Sequence, residues 1–125
     1  MSEMFCFQCE QTAGGKGCTR GGVCGKKPEI AQLQDEITAG LITLARAAEG
    51  MPPCSKCAAL FMDALFMTVT NVNFDGADLA AMRDRIQQAI ERYGGATAFA
   101  PENLFHGDPD IVSRRSTLLF GLRGM

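Results

Sequence analysis

Four cysteines lie close together near the amino terminus, in a segment too rich in glycine to form a helix or a strand. They are Cys6, Cys9, Cys18 and Cys24. The CxxC pair places two thiols on one tight turn, and the glycines let the backbone take positive φ angles and wrap closely around a ligand. A shell made only of sulfur ligands suits zinc or an iron–sulfur cluster. The segment therefore predicts a cluster-binding loop over residues 1–27.

The spacing of these cysteines bears on which metal they bind. A structural zinc site usually repeats the CxxC pair, whereas here five residues separate Cys18 from Cys24. This wider spread favours an iron–sulfur cluster, whose ligands come from different directions. Zinc, or four unrelated free cysteines, remain the alternatives on spacing alone.

Composition limits the partners and the compartment. The chain has 125 residues, a net charge of -2 and a hydrophobic share of 46%, which is typical of one small globular domain. It has no basic stripe of the kind that binds nucleic acid. It also has no apolar run long enough to span a membrane and no secretory signal pattern. We therefore expect a cytoplasmic protein whose six cysteines are metal ligands or redox thiols.

Basic residues near the cysteines form a local patch. They are Lys16, Arg20, Lys26 and Lys27. Their charges could offset those of four thiolates or dock an acidic electron donor, although solvated loop charges are an equal alternative. In the same loop, Phe5 and Phe7 flank the first two cysteines, and we expect them to shield the site from water.

Residues 28–125 carry the periodicity of helices. Apolar residues recur every three or four positions from Pro28 to Glu49, which predicts a helix with one buried stripe, ended by Gly50 and by Pro52–Pro53. A second helix should start at about Ser55. Because it is apolar on most sides, it is predicted to be the central element.

Two further helices are predicted towards the carboxyl end. Asp75 can cap the third helix, and Gly94 and Gly95 should end it. Residues 96–107 are predicted to be a loop. Asp108 then reads as the cap of a fourth helix, whose apolar pattern is still running at Met125.

These segments predict an all-α domain, a small bundle of about four helices preceded by the cysteine-rich loop. The loop and residues 28–125 would form one domain. The fourth helix should leave an apolar face exposed, which predicts a homodimer formed by packing against another copy.

Several short stretches closely resemble the amino terminus of the hybrid-cluster protein family, also called the prismane or hydroxylamine reductase family. They are FCFQCEQT, GCT, GVCGK and LQDE within residues 5–36, followed by TVTNVNFD at 68–75 and LLFGLRGM at 118–125. The resemblance covers nearly the whole chain and is most specific over residues 4–35. It implies a helical first domain whose four amino-terminal cysteines hold a proximal [4Fe-4S] cluster; a related class with wider spacing carries [2Fe-2S].

The resemblance also implies what this chain lacks. In the family the proximal cluster passes electrons to a hybrid iron–sulfur–oxygen cluster, held by His, Glu and Cys ligands from later domains. The only histidine here, His106, lies in a predicted loop with no cysteine near it in sequence, and we interpret it as an ordinary surface or capping histidine. We therefore expect a fragment or a short relative that holds one cluster and does not reduce hydroxylamine by itself.

The function predicted from these features is electron transfer, with a redox partner protein. The alternatives are a structural zinc or iron–sulfur module that serves assembly, and a cluster that senses oxygen or nitric oxide. No pair of residues suited to general acid–base catalysis is evident.

A second CxxC pair, Cys54 and Cys57, is not part of the resemblance. The helix starting at Pro28 should separate it from Cys24 by about 33 Å at 1.5 Å per residue, so one shared cluster within a chain is not expected. Three interpretations remain open: reduced thiols packed as small apolar groups, a second metal site built from the pairs of two chains, and a redox pair at a helix start.

Overall fold

The chain forms four α-helices within residues 3–52, 54–69 and 72–124, which a computed structural model describes. The helices are α1 (Pro28–Ala48), α2 (Ser55–Met67), α3 (Gly76–Arg92) and α4 (Pro109–Gly124), with short 3₁₀ helices at Ala13–Gly15 and Pro101–Leu104. The predicted all-α class and the bundle of about four helices are confirmed. Pro53 and Met125, named in the predictions above, lie outside the described residues.

The helix ends follow the local sequence. Pro28 occupies the first turn of α1, where its missing N–H costs no hydrogen bond. The side chain of Asp75 caps α3 by accepting hydrogen bonds from the backbone N–H groups of Ala77 and Asp78. Asp108 accepts one from the N–H of Asp110 at the start of α4. These predicted starts are therefore confirmed.

The core lies mainly between α1 and α3. Its fully buried side chains include Ile37 and Leu44 of α1 and Leu79 and Ile86 of α3. Gly40 lets the two helices approach closely, because a Cβ atom there would lie only 3.1 Å from Cγ2 of Ile86. None of the helices in the described ranges is both long and apolar enough to cross a membrane.

The prediction that the second helix is central is wrong. Within α2 only Leu60 and Ala64 are buried, while Met62 and Phe66 are 65% and 60% exposed. The sequence of α2 is apolar on most sides, but most of those sides face solvent. The amphipathic stripes of α1 and α3 match each other instead, so these two helices pack together and leave α2 at the side.

Residues 96–107 are irregular except for the 3₁₀ turn, and they are tied to α1. The N–H of Phe99 donates to the hydroxyl of Thr43 at 3.0 Å, and the guanidinium of Arg46 lies 5.4 Å from the centre of the Phe99 ring. Leu104 is 1% exposed and anchors the turn. This segment is a predicted loop that nevertheless has fixed contacts, and it carries Phe105 to the cysteine-rich end of the molecule.

Helix α4 is held mainly by polar contacts. It contains no buried residue within its described length, and Leu118 and Phe120 are largely exposed. Arg123 donates from Nε to the hydroxyl of Thr68 at 2.9 Å and from Nη2 to that of Thr38 at 3.2 Å. The prediction that the fourth helix leaves apolar side chains exposed is therefore confirmed.

Candidate metal centre

Cys6 and Cys18 are brought together by the backbone. The N–H of Cys6 donates to the carbonyl of Cys18 at 3.0 Å, and the N–H of Cys18 returns a bond to the carbonyl of Cys6 at 2.8 Å. A third bond, from the N–H of Met4 to the carbonyl of Thr19, extends this antiparallel contact. The first and third cysteines of the motif therefore lie side by side, a pairing that spacing alone did not indicate.

The sulfur of Cys18 accepts a hydrogen bond from the backbone. The N–H of Ala13 donates to Sγ at 3.4 Å, and the hydroxyl of Thr12 lies 3.7 Å from it. The backbone bonds from Ala13 and from Val23, followed by the Thr12 hydroxyl, lower the pKa of Cys18, while burial opposes them. The loop thus favours the thiolate of Cys18, which is the form that binds metals.

Two turns hold the remaining cysteines. The N–H of Thr12 donates to the carbonyl of Cys9 at 3.2 Å, and the N–H of Gly22 donates to the carbonyl of Lys26 at 2.7 Å, closing a turn around Cys24. Gly22 has no room for a side chain, because a Cβ atom would lie 3.1 Å from Sγ of Cys24 and 2.9 Å from Cβ of Lys26. This glycine therefore lets the backbone pass close to the Cys24 sulfur.

Lys26 places a buried positive charge beside the cysteines. Its residue is 2% exposed, and Nζ lies 3.9 Å from Sγ of Cys6. Of the basic patch, Lys16, Arg20 and Lys27 are exposed. The sequence indicated the patch but could not single out Lys26 as the cation that contacts a cysteine.

A half-buried carboxyl, that of Asp35, interacts with the charges of this lysine and of the half-buried Arg123. Burial raises the pKa of Asp35 from 3.8 to about 7, although the positive charges of Arg123 and Lys26 oppose the rise. Burial also lowers the pKa of Arg123, although the negative charges of Asp35 and Cys6 raise it. Neither residue was predicted to belong to the site, although both lie in stretches that resemble the family, LQDE and LLFGLRGM.

Three phenylalanines pack beside the cysteines. The ring centres of Phe5 and Phe7 are 5.2 Å apart, and that of Phe105 lies 5.2 Å and 5.6 Å from them. Phe105 was missed because it is far from the motif in sequence. A cavity of about 610 Å³ borders Phe5 and Phe105, and His106, which is exposed as predicted, lies at its edge.

The described residues do not place three His, Cys, Asp or Glu side chains around one point that could hold a single metal ion. Cys6 and Cys18 are adjacent, whereas Cys9 is half-buried and Cys24 is exposed. A multi-iron cluster needs sulfurs spread around it rather than converging on one ion. N–H donors to sulfur, a glycine that admits the backbone and a buried cation fit such an anionic, thiolate-bound group.

The second CxxC pair lies apart from this loop, as expected. It follows the end of α1, whereas Cys24 precedes the start of α1. Cys54 is exposed at the cap position of α2, and Cys57 is half-buried with Sγ 3.1 Å from the hydroxyl of Tyr93.

Comparison with known proteins agrees with the resemblance seen in the sequence. Residues 4–125 match the model of the Prismane/CO dehydrogenase family. The chain is 38% identical to a hydroxylamine reductase of Syntrophobacter fumaroxidans, with 98% of this chain and 29% of the relative covered. A hydroxylamine reductase of Moorella thermoacetica is 44% identical over 79% of this chain and 26% of its own length. The chain therefore spans less than a third of the length of these relatives.

Proposed function

The chain belongs to the Prismane/CO dehydrogenase family, and we propose that it binds one [4Fe-4S] cluster and transfers single electrons. The family implies iron–sulfur chemistry, and the named relatives are oxidoreductases. The proposed ligands are Cys6, Cys9, Cys18 and Cys24.

The observation that carries this proposal is the environment of Cys6 and Cys18. A lysine that is 2% exposed, with Nζ 3.9 Å from the Cys6 sulfur, would be stabilised by negative charge on that sulfur. A cluster held by thiolates supplies such a charge. The backbone N–H that donates to Cys18 would also stabilise this negative charge. Hydrogen bonds to cluster sulfurs help to set the reduction potential.

The aromatic side chains support a redox role over a purely structural one. Phe5, Phe7 and Phe105 cover one side of the cysteine-rich loop, and a hydrophobic shell controls solvent access and hence the potential of a metal site. Cys24, by contrast, is exposed. An exposed ligand gives an electron donor or acceptor a short approach to the cluster, so we propose that redox partners dock near Cys24.

The full reaction of the relatives is not assigned to this chain. It spans 29% of the Syntrophobacter fumaroxidans hydroxylamine reductase, and we propose that its part in such chemistry is to accept electrons and pass them on. The proposed location is the cytoplasm, where thiols stay reduced and available to iron.

The proposed partner within the assembly is a second copy of the chain. Helices α2 and α4 pack against each other, and both leave large apolar side chains in solvent, including Phe66 and Leu118. Burying these side chains between copies would remove apolar area from water.

The test is to purify the chain without oxygen, to count iron, sulfide and zinc per chain, and to record EPR spectra before and after dithionite. We expect about four irons and four sulfides, with a spin-half signal on reduction. The variant Cys18→Ser should lower the iron content, whereas the double variant of Cys54 and Cys57 to serine should keep it.

Other results would overturn this assignment. Zinc without sulfide would make the chain a structural metal module, since zinc has no redox chemistry. A cluster that is lost rapidly in oxygen or nitric oxide, with a change of oligomeric state, would favour sensing over electron transfer.

A further inference from the structure

The second CxxC pair occupies the start of α2. Cys54 is the exposed cap residue, with extended backbone angles and a carbonyl that accepts from the N–H of Ala58 at 2.9 Å. Cys57 lies in the first helical turn and is half-buried. Cys54 is thus the more accessible of the two residues and Cys57 the more buried, which suits an attacking thiol and a resolving thiol.

The two thiols and Tyr93 interact directly. The backbone N–H of Cys57, and next its thiol, hydrogen-bond to the Cys54 sulfur and lower the pKa of Cys54, with a smaller contribution from Lys56. Sγ of Cys57 lies 3.1 Å from the hydroxyl of Tyr93, and this bond raises the pKa of Tyr93. The phenol therefore stays protonated and can donate to Cys57 when that thiol ionises.

A cavity of about 380 Å³ opens beside Cys57. Its lining includes three basic side chains, Lys56, Arg85 and Arg92, and none of the described residues that line it is acidic. All three cations are exposed. Such a surface attracts anions and increases their local concentration next to Cys57, three residues from Cys54.

We propose that Cys54 and Cys57 form a reversible dithiol–disulfide pair that exchanges with anionic low-molecular-weight disulfides bound in this basic cavity. The Cys54 thiolate attacks one sulfur of the disulfide RSSR, forming a Cys54–SR bond and releasing RS⁻. Cys57 then loses its proton and attacks Sγ of Cys54, forming the Cys54–Cys57 disulfide and releasing the second RS⁻. The two protons of the dithiol end on the two RSH products, and the two electrons of the dithiol reduce RSSR.

This activity is separate from the amino-terminal cluster. The 21 residues of α1 place about 32 Å of helix between the segment that ends in Lys27 and the segment that precedes Cys54. The pair also has its own contacts, since Tyr93 follows α3 and not the cysteine-rich loop. The exchange therefore does not depend on whether the cluster is present.

The experiment uses the cluster-containing chain under anaerobic conditions, with oxidised glutathione as the anionic probe and cystamine as the cationic one. Peptide mapping after acid quenching should show a Cys54–Cys57 disulfide, with iron content unchanged. In the Cys57→Ser variant the reaction should stop at the mixed disulfide between glutathione and Cys54. The Cys54→Ser variant should not react with glutathione. Replacing Arg85 and Arg92 by glutamine should slow the reaction with oxidised glutathione about tenfold at low ionic strength and should speed the reaction with cystamine, because the same charges repel a cation.

Tyr93→Phe provides a test of the second step alone. It should lengthen the lifetime of the mixed disulfide on Cys54 while leaving its rate of formation unchanged, because the lost hydroxyl contacts only the Cys57 sulfur of the pair. A merely structural role for Tyr93 would change both rates or neither.

Three results would overturn the proposal. One is stable glutathione on Cys54 in the unmodified chain, which would mean that Cys57 does not resolve it. Another is equal reactivity of the anionic and cationic probes. The third is stoichiometric metal that is lost only when Cys54 and Cys57 are replaced, which would assign these thiols to a metal site between two chains.

Discussion

The ammonium group of Lys26 lies 3.9 Å from the sulfur of Cys6, and the lysine is almost completely buried. A buried ammonium group is stabilised by a neighbouring negative charge, and removing that charge would leave it unpaired. The contact thus makes Lys26 a determinant of the redox properties of the proposed cluster.

Lys26→Met should make the reduction potential more negative, because adding an electron to an anionic cluster becomes harder when the buried cation is removed. We expect a shift on the order of 50 mV, equivalent to about 1 kcal/mol for one electron. EPR-monitored redox titration measures it. Lys16→Met, in the exposed part of the same loop, is the matched control. Equal shifts in the two variants would contradict a specific role for Lys26.

Gly22→Ala should weaken retention of the cluster. The added Cβ would lie 3.1 Å from Sγ of Cys24 and 2.9 Å from Cβ of Lys26, so the turn must open and the Cys24 sulfur must move. We expect the half-life of the cluster in an iron chelator to fall about tenfold. Gly21→Ala is the control, since its nearest contact is 3.9 Å. An unchanged half-life for Gly22→Ala would show that Cys24 is not a ligand.

The pKa of Asp35, raised by burial to about 7, predicts a pH dependence of stability. In the unfolded chain the carboxyl ionises near its ordinary value of 3.8, whereas in the folded chain it holds its proton to about pH 7. The unfolded state therefore binds fewer protons between these values, and stability falls as the pH rises through this window. The stabilising contribution is fully present only below the unfolded pKa.

Asp35→Asn should remove this dependence. Urea unfolding should show that the stability of the unmodified chain, relative to the variant, declines between about pH 5 and pH 7. Asp63→Asn, at an exposed position of α2, should leave the pH profile unchanged. If the difference in stability between the unmodified chain and Asp35→Asn did not change with pH, a raised pKa for Asp35 would be ruled out.

Arg123→Met should loosen α4. The substitution removes the hydrogen bonds to the hydroxyls of Thr68 and Thr38 and a positive charge near Asp35. We expect a loss of about 1–3 kcal/mol in the free energy of unfolding. Hydrogen exchange should accelerate most in α4, because that helix contains no buried residue of its own. Arg114→Met, an exposed position on the same helix, serves as the control.

The proposed homodimer can be tested through the exposed apolar side chains of α2 and α4. Phe66→Glu and Leu118→Glu should convert a dimer to a monomer in sedimentation velocity, because a charge would be buried at the interface. Met51→Glu changes another exposed apolar side chain that lies outside these helices, and it should leave the dimer intact. A monomer before any substitution would refute the dimer.

The amino-acid sequence by itself determined the helical class, the starts of α1, α3 and α4, and the separation of the two cysteine pairs. These features are local: a proline in the first turn, an aspartate cap and an apolar period act within a few residues. The prediction that four amino-terminal cysteines bind a cluster also came from a local motif and its family resemblance, and it remains a prediction.

Only the tertiary structure decided which helices share the core and which distant residues reach the cysteines. The α2 sequence is the more apolar, but complementary stripes and a glycine contact between Gly40 and Ile86 pair α1 with α3. Phe105 and Arg123 approach the amino-terminal loop through chain segments far away in sequence. Such contacts depend on how completed helices pack, and local periodicity marks the buried face of each helix without saying which other face it meets.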